Sequence, residues 1–492
     1  MLGGFARLFH LQVRRLLFYL DPLMEADAPM ERFRNAGQGH VFQYFCDLQE
    51  EEKKTLLLQA EEIDLEEVSR LSIAFRARDS MDLDFSGLKP APYIPHPASG
   101  GDEEPWVEAR ALGEEALRAG RVAAFTVAGG QGTRLGFDGP KGTFPATPVM
   151  GKSLFQVFAE KIFASGARFG GQIQWLIMTS VQNDKETRQF FETSNYFGLE
   201  KEQVHFFTQG LMPAVDGNGK ILMSGRGRIA MNPDGHGGSL RALVRSGNVE
   251  RLRSLGVDTI SYFQVDNPLV QCIDPGFIGF HLGEGADISS KMVPKAHAHE
   301  KVGHFCVKNG RQVVVEYSDL PGELQEKINP RSGELLYIAG SIAIHILSLD
   351  FAARVGGGAE EGLALPFHFA HKKVPCIDEA GNPVQPMEPN GVKFEMFIFD
   401  SLPLAGKSVI IETRREDEFS PIKNAQGEDS AETSKRDQSS QFLRWLASVG
   451  ENVSGLETVE VSPVFAQTGE EFAARWRGMD TKPSLQEGIY FG

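Results

Sequence analysis

The sequence of 492 residues lacks the features that mark secreted, membrane-spanning and nucleic-acid-binding proteins. Its four cysteines are far apart and form no C-x-x-C pair, which excludes a disulfide framework and indicates free thiols in a reducing compartment. No apolar run approaches the length of a membrane-spanning helix. Aspartate and glutamate number 66 against 50 lysines and arginines, so the acidic surface disfavours a nucleic-acid partner. These absences predict a cytoplasmic protein that binds neither nucleic acid nor membrane.

Changes in composition divide the chain into four predicted regions. They are a leader (1–30), an N-terminal helical region with a linker (31–112), a domain of alternating strands and helices (113–405) and a final region (406–492). The leader is expected to be disordered, or to precede a true start at Met30, because Arg14 and Arg15 adjoin its short apolar run, unlike a signal peptide. Within the final region, the polar stretch 425–440 is expected to be a mobile loop.

The hydrophobic pattern of the long third region predicts alternating strands and helices, hence a largely parallel sheet covered by helices. The predicted strands are Val122–Val127, 173–178 and 259–265, and the predicted helices are 185–193 and Gly238–Arg245. A hairpin is predicted around Asn309 and Gly310, because Asn-Gly favours a tight primed turn. The domain is therefore expected to contain an antiparallel insert.

A glycine-rich loop follows the first predicted strand, Val122–Val127, whose continuous apolar run is typical of burial on both faces. The glycines of this loop are Gly129, Gly130, Gly132 and Gly136. Without Cβ atoms, such a turn lets backbone N–H groups approach an anion or a flat base. Arg134 and Lys141 add positive charge beside it. The predicted ligand is a nucleotide that carries phosphate.

Two other glycine motifs compete with this interpretation. The dinucleotide fingerprint G-x-G-x-x-G would need its third glycine one residue before Gly136. The stretch 146–153 is similar to a relaxed Walker A motif in which Lys152 would bind phosphate, but it follows a proline-containing loop and no strand. Ser153 and Gln156 form a Ser-x-x-Gln capping box, so we favour the start of a helix at this point.

The loop 128–136, Ala-Gly-Gly-Gln-Gly-Thr-Arg-Leu-Gly, followed by Pro140 and Lys141, resembles the signature of the eukaryotic-type UDP-sugar pyrophosphorylases. The UDP-N-acetylglucosamine pyrophosphorylase branch is the most similar. Further motifs match in family order from residue 36 to beyond 424. The resemblance implies an α/β fold: a Rossmann-like, mixed and mostly parallel sheet as the nucleotidyltransferase core, with an N-terminal helical region and a small C-terminal lobe at 406–492.

The resemblance also assigns residues to the nucleotide. The residues implied for UTP are Ala128, Gly129, Gly130, Gln209, Arg134 and Lys141, the last two holding the departing pyrophosphate. The amide of Gln209 can donate to and accept from a uracil edge, although such a residue also simply begins a loop. Gly235 and His236 open a predicted helix whose N-terminus could face phosphate or base, or form an ordinary glycine-rich turn. An asparagine is usual in the family where His236 stands.

Asp266 is the candidate metal ligand. It follows a predicted strand in the sequence Val-Asp-Asn, and ligands in such folds bind beyond the carboxyl ends of the strands. A carboxylate there can hold Mg²⁺ or Mn²⁺ against phosphate oxygens. Strands also end in Asp-Asn turns for backbone reasons alone. The match to the family's Val-Asp-Asn motif implies the metal role.

The resemblance assigns a further set of residues to the sugar phosphate. They are Gly303, Glu316, Ser341, Lys393, Phe399 and, on the reacting phosphates, Lys423. Without the resemblance, Glu316 would be a solvated strand residue and Lys423 part of a solvated charge run. Ser341 stands where the family has an asparagine, so the identity of the sugar is the part of the assignment that departs most from the family.

The predicted function is a uridylyltransferase that converts UTP and a sugar 1-phosphate, with N-acetylglucosamine 1-phosphate as first choice, into a UDP-sugar and pyrophosphate. The expected protein is a monomer or homodimer. One alternative is a glucose 1-phosphate enzyme or one with broad sugar specificity. A second is a non-catalytic UDP-sugar sensor on the same fold. A third, a P-loop phosphotransferase using Lys152, is disfavoured by the helix cap.

Overall fold

The computed structural model describes residues 22–77, 84–358 and 363–492. Residues 1–21 of the predicted leader lie outside the described residues, and the first helix begins at Pro22, within the predicted leader. In chain order the α-helices are α1 (Pro22–Asn35), α2 (Glu50–Glu62), α3 (Leu65–Ala77), α4 (Glu104–Arg118), α5 (Leu154–Phe169), α6 (Asp184–Thr193), α7 (Gly238–Arg245), α8 (Asn248–Ser254), α9 (Pro275–Glu284), α10 (Gly322–Gln325), α11 (Leu349–Gly357), α12 (Arg415–Glu418), α13 (Ala431–Ser448) and α14 (Gly469–Gly478). No helix in this described part is both long and apolar enough to cross a membrane.

The strands are mostly short. They are β1 (Lys89–Pro90), β2 (Val122–Val127), β3 (Gln174–Thr179), β4 (Val204–Thr208), β5 (Leu211–Pro213), β6 (Met223–Gly225), β7 (Arg228–Ile229), β8 (Met231–Pro233), β9 (Thr259–Gln264), β10 (Ile288–Pro294), β11 (Gly303–Lys308), β12 (Arg311–Val315), β13 (Ala339–Ser348), β14 (His368–Lys372), β15 (Cys376–Ile377), β16 (Pro383–Val384), β17 (Gly391–Glu395), β18 (Ser408–Glu412), β19 (Val459–Val461) and β20 (Ile489–Phe491). The predicted strands and helices all form, with ends that differ by one residue at most.

The described chain forms two compact units. The first unit contains residues 22–77 with 211–235 and 367–396, and the second contains the remaining described residues. In the first unit, α1 to α3 bury Phe33, Leu56 and Val68 in one apolar cluster with Val392 and Phe394 of β17. Three separate stretches of sequence therefore supply one hydrophobic core.

The second unit is built on a ten-stranded sheet. Its backbone path runs β1-β11-β13-β9-β2-β3-β4, with β12 beside β11, and β10 and then β18 beside β13. The pairings make β2, β3, β4, β9, β10, β11 and β18 run in one direction and β1, β12 and β13 in the other. This mixed, mostly parallel sheet with its helices confirms the expected α/β fold.

Four adjacent parallel strands, β9, β2, β3 and β4, are level at their carboxyl ends. Val127 pairs with Gln264 across β2 and β9, and Thr179 pairs with Thr208 across β3 and β4. All of β2 except Val127 is buried, as the apolar run predicts. The loops that follow β2, β3, β4 and β9 therefore leave the sheet at one edge.

The predicted hairpin is β11–β12, and its turn is confirmed by positive φ angles of 52° at Asn309 and 76° at Gly310. β13, which pairs with β11 at Ser341, contains a bulge. Opposite it, β10 passes from Ser290 to Met292 while β13 passes from His345 to Ser341, so three residues of β13 face one of β10. Ala343, in the middle of the bulge, has a φ of +55°.

The predicted mobile loop at 425–440 is wrong, because α13 begins at Ala431. Ser430 caps this helix through a hydrogen bond between its Oγ and the N–H of Thr433 at 3.2 Å. Polar residues of the helix are buried and bonded to backbone: Gln438 Nε2 donates to the carbonyl of Ala146 at 2.9 Å. The helix also contributes Phe442 and Leu446 to an apolar cluster with α14, β19 and β20.

Candidate functional site

The glycine-rich loop after β2 comes close to the loops after β3 and β4. A Cβ placed on Gly129 would lie 2.9 Å from Oε1 of Gln209 and 3.6 Å from Cβ of Ser180. Gly136 has a φ of +69°, which favours glycine. Gln209 is 9% exposed, and its N–H donates to the carbonyl of Thr179 at 2.8 Å. The predicted uridine residues Gly129 and Gln209 are thus neighbours in the structure.

Asn183, which the sequence analysis did not single out, holds this loop in place. It is fully buried, and its Nδ2 donates to the carbonyls of Ala128 at 3.0 Å and Gly130 at 3.2 Å. Its Oδ1 accepts the N–H of Ser180 at 2.8 Å. An asparagine just after a buried strand was the available signal, but turns commonly carry asparagine for local reasons.

The two basic residues that are predicted to bind pyrophosphate, Arg134 and Lys141, differ in their surroundings. Arg134 is exposed and lies in the single 3₁₀ turn Thr133–Leu135 of the glycine-rich loop. Lys141 has a side chain only 15% exposed, and its Nζ lies 3.5 Å from Oδ2 of Asp266. The N–H of Lys141 donates to the carbonyl of Gly130 at 3.1 Å. Lys141 therefore joins the glycine-rich loop to Asp266, two residues after the end of β9.

A cavity of about 170 Å³ lies next to Asp266 within the second unit. The predicted site residues that line it are His236, Asp266, Gly303, Glu316, Ser341, Phe399 and Lys423. Lys301, Asn267 and the bulge residues also line it and were missed from the sequence. Residues separated by up to 187 positions in the chain thus share one concave surface, the usual form of a small-molecule site.

Lys423 lies at one end of this cavity beside an aromatic ring. Its Nζ is 5.5 Å from the centre of the Phe419 ring and 3.5 Å from Oδ2 of Asp429. A lysine over an aromatic face is favoured electrostatically, and it keeps a partly exposed position here. The ammonium group is therefore available to an anion in the cavity.

His236 presents one ring nitrogen in a defined state. Its Nδ1 accepts the N–H of Ile398 at 3.2 Å, so the neutral ring carries its proton on Nε2 and can donate from that atom. The ring stacks on Phe397 with centres 5.3 Å apart and meets the edge of Phe399. A histidine held in this way can replace the donor function of an asparagine, although not its acceptor function.

Gly303, Glu316 and Ser341 lie together on three neighbouring segments. Gly303 pairs with Ser341 across β11 and β13, and a Cβ on Gly303 would lie 3.8 Å from Oε1 of Glu316. Below this surface, burial and then the charge of Lys295 lower the pKa of His304 to about 4. Nζ of Lys295 bonds to Nε2 of His304 at 2.9 Å, and burial lowers the pKa of the lysine to about 8.

Two predicted substrate residues, Gly235 and Lys393, belong to the first unit. Gly235 has a φ of +83°, and a Cβ there would lie 2.3 Å from the carbonyl oxygen of Met396. Lys393 lies in β17 and pairs with Ala370 of β14. These contacts explain the glycine, and they leave the substrate role of both residues a prediction.

Among the described residues, no group of three or more His, Cys, Asp or Glu side chains could hold a metal ion. Asp266 is a single carboxylate, and its side chain is 14% exposed at the edge of the cavity. Mg²⁺ typically binds one or two carboxylates and takes its other oxygens from substrate phosphates and water. The donor present therefore fits a metal that arrives with a nucleotide, and it does not fit a permanent metal centre.

The P-loop alternative does not agree with the surroundings of Lys152. Its Nζ bonds to Glu160 Oε2 at 2.7 Å and to the Tyr490 hydroxyl at 2.8 Å, and the residue is 7% exposed. The serine half of the predicted capping box is confirmed, because Ser153 Oγ accepts the N–H of Gln156 at 3.1 Å. The side chain of Gln156 donates to Glu160 instead of completing the box. Lys152 is a buried structural cation.

Known proteins resemble this chain over most of its length. The family described as UTP–glucose-1-phosphate uridylyltransferase matches residues 103–433. The Arabidopsis thaliana UDP-N-acetylglucosamine diphosphorylase 1 is 35% identical over 475 residues, which cover 92% of this chain and 91% of the relative. The Saccharomyces cerevisiae UDP-N-acetylglucosamine pyrophosphorylase is 36% identical over 462 residues, 90% and 95% of the two chains. The crystal structure of the Trypanosoma brucei UDP-N-acetylglucosamine pyrophosphorylase with an inhibitor superposes with a TM-score of 0.80 at 29% identity, covering 95% of this chain and 98% of that one.

Proposed function

The chain belongs to the UTP–glucose-1-phosphate uridylyltransferase family, and on that premise we propose that it converts UTP and N-acetylglucosamine 1-phosphate into UDP-N-acetylglucosamine and pyrophosphate. The observation that carries the proposal is the cavity that Asp266, Lys423, Glu316 and Ser341 line together. The Lys141–Asp266 contact connects this cavity to the glycine-rich loop. The names of the two relatives above support N-acetylglucosamine as the sugar.

The proposed reaction is an in-line displacement at the α-phosphorus of UTP. The attacking oxygen belongs to a sugar phosphate that is already an anion, so the protein needs no general base. Its task is to position two anions and to neutralise their charge. Lys423 would hold the reacting phosphates, and Lys141 and Arg134 would hold the departing pyrophosphate. Asp266 would hold a divalent ion, whose positive charge would reduce the repulsion between the two anions.

The nucleotide end of the site is assigned to the glycine-rich loop. Backbone groups of 128–130 would approach the uridine, because these positions carry little or no side chain. The buried amide of Gln209 is close enough to Gly129 to meet the same base. Asn183 supports this assignment, since its hydrogen bonds to the carbonyls of Ala128 and Gly130 fix the backbone of the loop.

The sugar end is assigned to Gly303, Glu316, Ser341 and His236. A glutamate accepts hydrogen bonds from hydroxyl groups, and the Nε2–H of His236 can donate one. Ser341 has a shorter side chain than the asparagine usual in the family, so it would reach the sugar through a water molecule or leave room for another substituent. This position favours broad use of hexose 1-phosphates as the second candidate function.

The test is a pyrophosphate-release assay with UTP against N-acetylglucosamine, N-acetylgalactosamine and glucose 1-phosphates. We expect turnover with all three and the highest kcat/KM with N-acetylglucosamine 1-phosphate. A non-catalytic sensor would bind UDP-sugar, measured by calorimetry, without releasing pyrophosphate. A strong preference for glucose 1-phosphate would overturn the sugar assignment and leave the uridylyltransferase intact.

A further inference from the structure

The segment 418–422 is hydrogen-bonded to Asp266 and Asn267, which lie two and three residues after the end of β9. Asn267, which is 5% exposed, donates from Nδ2 to the carbonyl of Glu418 at 2.6 Å. Its Oδ1 accepts the N–H of Ser420 at 3.1 Å. The N–H of Ile422 then donates to the carbonyl of Asp266 at 2.8 Å. Three hydrogen bonds in succession therefore set the segment's register against Asp266 and Asn267.

A buried ion pair anchors the beginning of this segment. The carboxylate of Glu418 accepts from Nζ of Lys291 at 2.5 and 2.6 Å and from Oγ1 of Thr413 at 3.0 Å. Lys291 also bonds to Asp274 at 2.5 Å. Burial alone would lower the pKa of Lys291, but the two carboxylates hold it above its ordinary value. Breaking a buried pair of this kind is costly, so the segment has a fixed origin.

The fastened segment carries part of the cavity wall. Phe419, Pro421 and Lys423 line the cavity together with Asp266 and Asn267. Lys423 directly follows Ile422, whose N–H bonds to the carbonyl of Asp266. Phe419, whose ring contacts Lys423, lies between Glu418 and Ser420, the two residues that Asn267 bonds. The distance between the Asp266 carboxylate and the Lys423 ammonium group therefore depends on the backbone of residues 418–422. Hydrogen bonds to the side chain of Asn267 and to the carbonyl of Asp266 hold this backbone in place.

We propose that Asn267 is a positioning residue for the transfer reaction. Its side chain bonds the backbone at Glu418 and at Ser420, and it thereby sets the position of Lys423 relative to Asp266. The inference rests on the proposed function of Lys423 and Asp266. An asparagine suits the role because one side chain must donate to a carbonyl and accept from an N–H at the same time. Aspartate, serine or alanine cannot make both bonds in the same geometry.

The test is a double-mutant cycle on kcat with Asn267→Ala and Lys423→Ala. In the wild-type background, Asn267→Ala should lower kcat by about 10-fold, because small displacements of positioned groups are costly. Its effect on the KM values for UTP and the sugar phosphate should be small. In the Lys423→Ala background the same change should alter kcat by less than about twofold, because the group that it positions is gone. A role in stability alone would lower activity equally in both backgrounds.

The matched control is Asn248→Ala, which removes another buried asparagine, the first residue of α8. Its Nδ2 donates at 2.8 Å to Oγ of Ser246, which follows α7. Amide hydrogen exchange of a peptide covering 419–424 should speed up in Asn267→Ala and stay unchanged in the control, and this readout does not depend on activity. If Asn267→Ala does not fold, as judged by circular dichroism, Asn267→Ser replaces it in the cycle.

The possible outcomes distinguish a failure of the proposed function from a failure of the positioning role of Asn267. A wild-type protein without pyrophosphate release overturns the proposed function and this inference with it. An active wild type in which Asn267→Ala leaves kcat unchanged, or lowers it equally in both backgrounds, overturns the positioning role alone. Non-additive kcat effects with faster exchange at 419–424 support it.

Discussion

Nζ of Lys141 lies 3.5 Å from Oδ2 of Asp266, and the two side chains are only 15% and 14% exposed. The contact bridges the loops after β2 and β9, which are neighbouring parallel strands. The contact pairs two charges that have different roles in the proposed reaction. The Lys141 cation would bind the pyrophosphate, and the Asp266 carboxylate would hold a divalent ion. Removing either partner would leave the other charge half-buried, so both positions are sensitive to substitution.

Asp266→Asn should abolish most of the turnover while leaving the fold intact. The change keeps the shape of the side chain but removes the charge that would hold Mg²⁺ or Mn²⁺, so we expect kcat to fall at least about 10²-fold. The measurement is pyrophosphate release with and without EDTA, together with a melting curve. Asp258→Asn, just before the start of the same strand and paired with Arg121 at the surface, is the control. Undiminished wild-type activity in EDTA would contradict the metal assignment.

Lys423→Ala and Arg134→Ala should each lower kcat by on the order of 10² to 10³, because each removes a fixed cation from a site of developing charge. Neither side chain is deeply buried, so melting temperatures should change little. Lys201→Ala, an exposed lysine beside β4, provides the control. Normal turnover in Lys423→Ala would remove the main support for the proposed mechanism.

Lys152→Ala should affect stability and spare the chemistry. The substitution removes the cation beside the Glu160 carboxylate, which is 13% exposed and keeps hydrogen bonds from Gln156 and Ser462. Loss of one partner from a largely buried ion pair costs up to about 3–5 kcal/mol of unfolding free energy. Lys407→Ala breaks an exposed pair with Glu284 and should cost less than about 1 kcal/mol. Thermal melting compares the two variants, and kcat/KM at low temperature tests the chemistry. An essential Lys152 alongside a dispensable Lys423 would revive the P-loop alternative.

Ser341→Asn should sharpen the choice of sugar. The longer amide restores both a donor and an acceptor at the wall of the cavity, and a site that bonds a substituent directly rejects sugars that lack it. We expect the ratio of kcat/KM for N-acetylglucosamine 1-phosphate over glucose 1-phosphate to rise about 10-fold. The control is Ser448→Asn, at an exposed serine that ends α13. An unchanged ratio would show that Ser341 does not meet the sugar.

The free energy of unfolding should decrease as the pH falls below about 6.5, which is the ordinary pKa of a histidine side chain. Burial lowers the pKa of His281 to about 4 and that of His345 to about 3, so the folded protein keeps both neutral while the unfolded chain takes up protons. Each histidine contributes its full share of the unfolding free energy above about pH 6.5. This contribution is lost as the pH falls toward the pKa of the folded state, and the loss at pH 5 is about 2 kcal/mol per histidine.

The check is the melting temperature between pH 7 and pH 5 for His281→Gln and for the exposed control His297→Gln. The first variant should lose less stability on acidification than the wild type, and the control should behave as the wild type does. Equal pH dependence in all three proteins would mean that His281 is not held neutral by burial.

The sequence predicted what depends on short-range pattern. The apolar run Val122–Val127 became a strand with those bounds, and the Asn309–Gly310 turn formed as its backbone preferences require. It failed at 431–440, because a hydropathy pattern does not reveal that polar side chains such as Gln438 are buried with backbone partners. The core shared by 22–77, 211–235 and 367–396 depends on contacts between distant stretches, which no local pattern encodes.

The candidate site divides in the same way. Motifs led to Asp266 and Lys423, and the structure brings both to one cavity. Asn183 and Asn267 could not be distinguished from ordinary turn residues, because their importance lies in the backbone groups that they bond in distant loops. The assigned roles of the site residues stay predictions until the variants above are measured.

The bulge in β13 limits which positions in the cavity wall can change. Residues 342–344 lie outside the paired register with β10, but Ile342 and Ile344 are buried in the hydrophobic core. Of these three residues only Ala343 is partly exposed, and its left-handed backbone would accept glycine more readily than alanine. The width of the cavity at this wall therefore depends on the side chain at Ala343, which can be altered without replacing a core residue or a residue paired with β10.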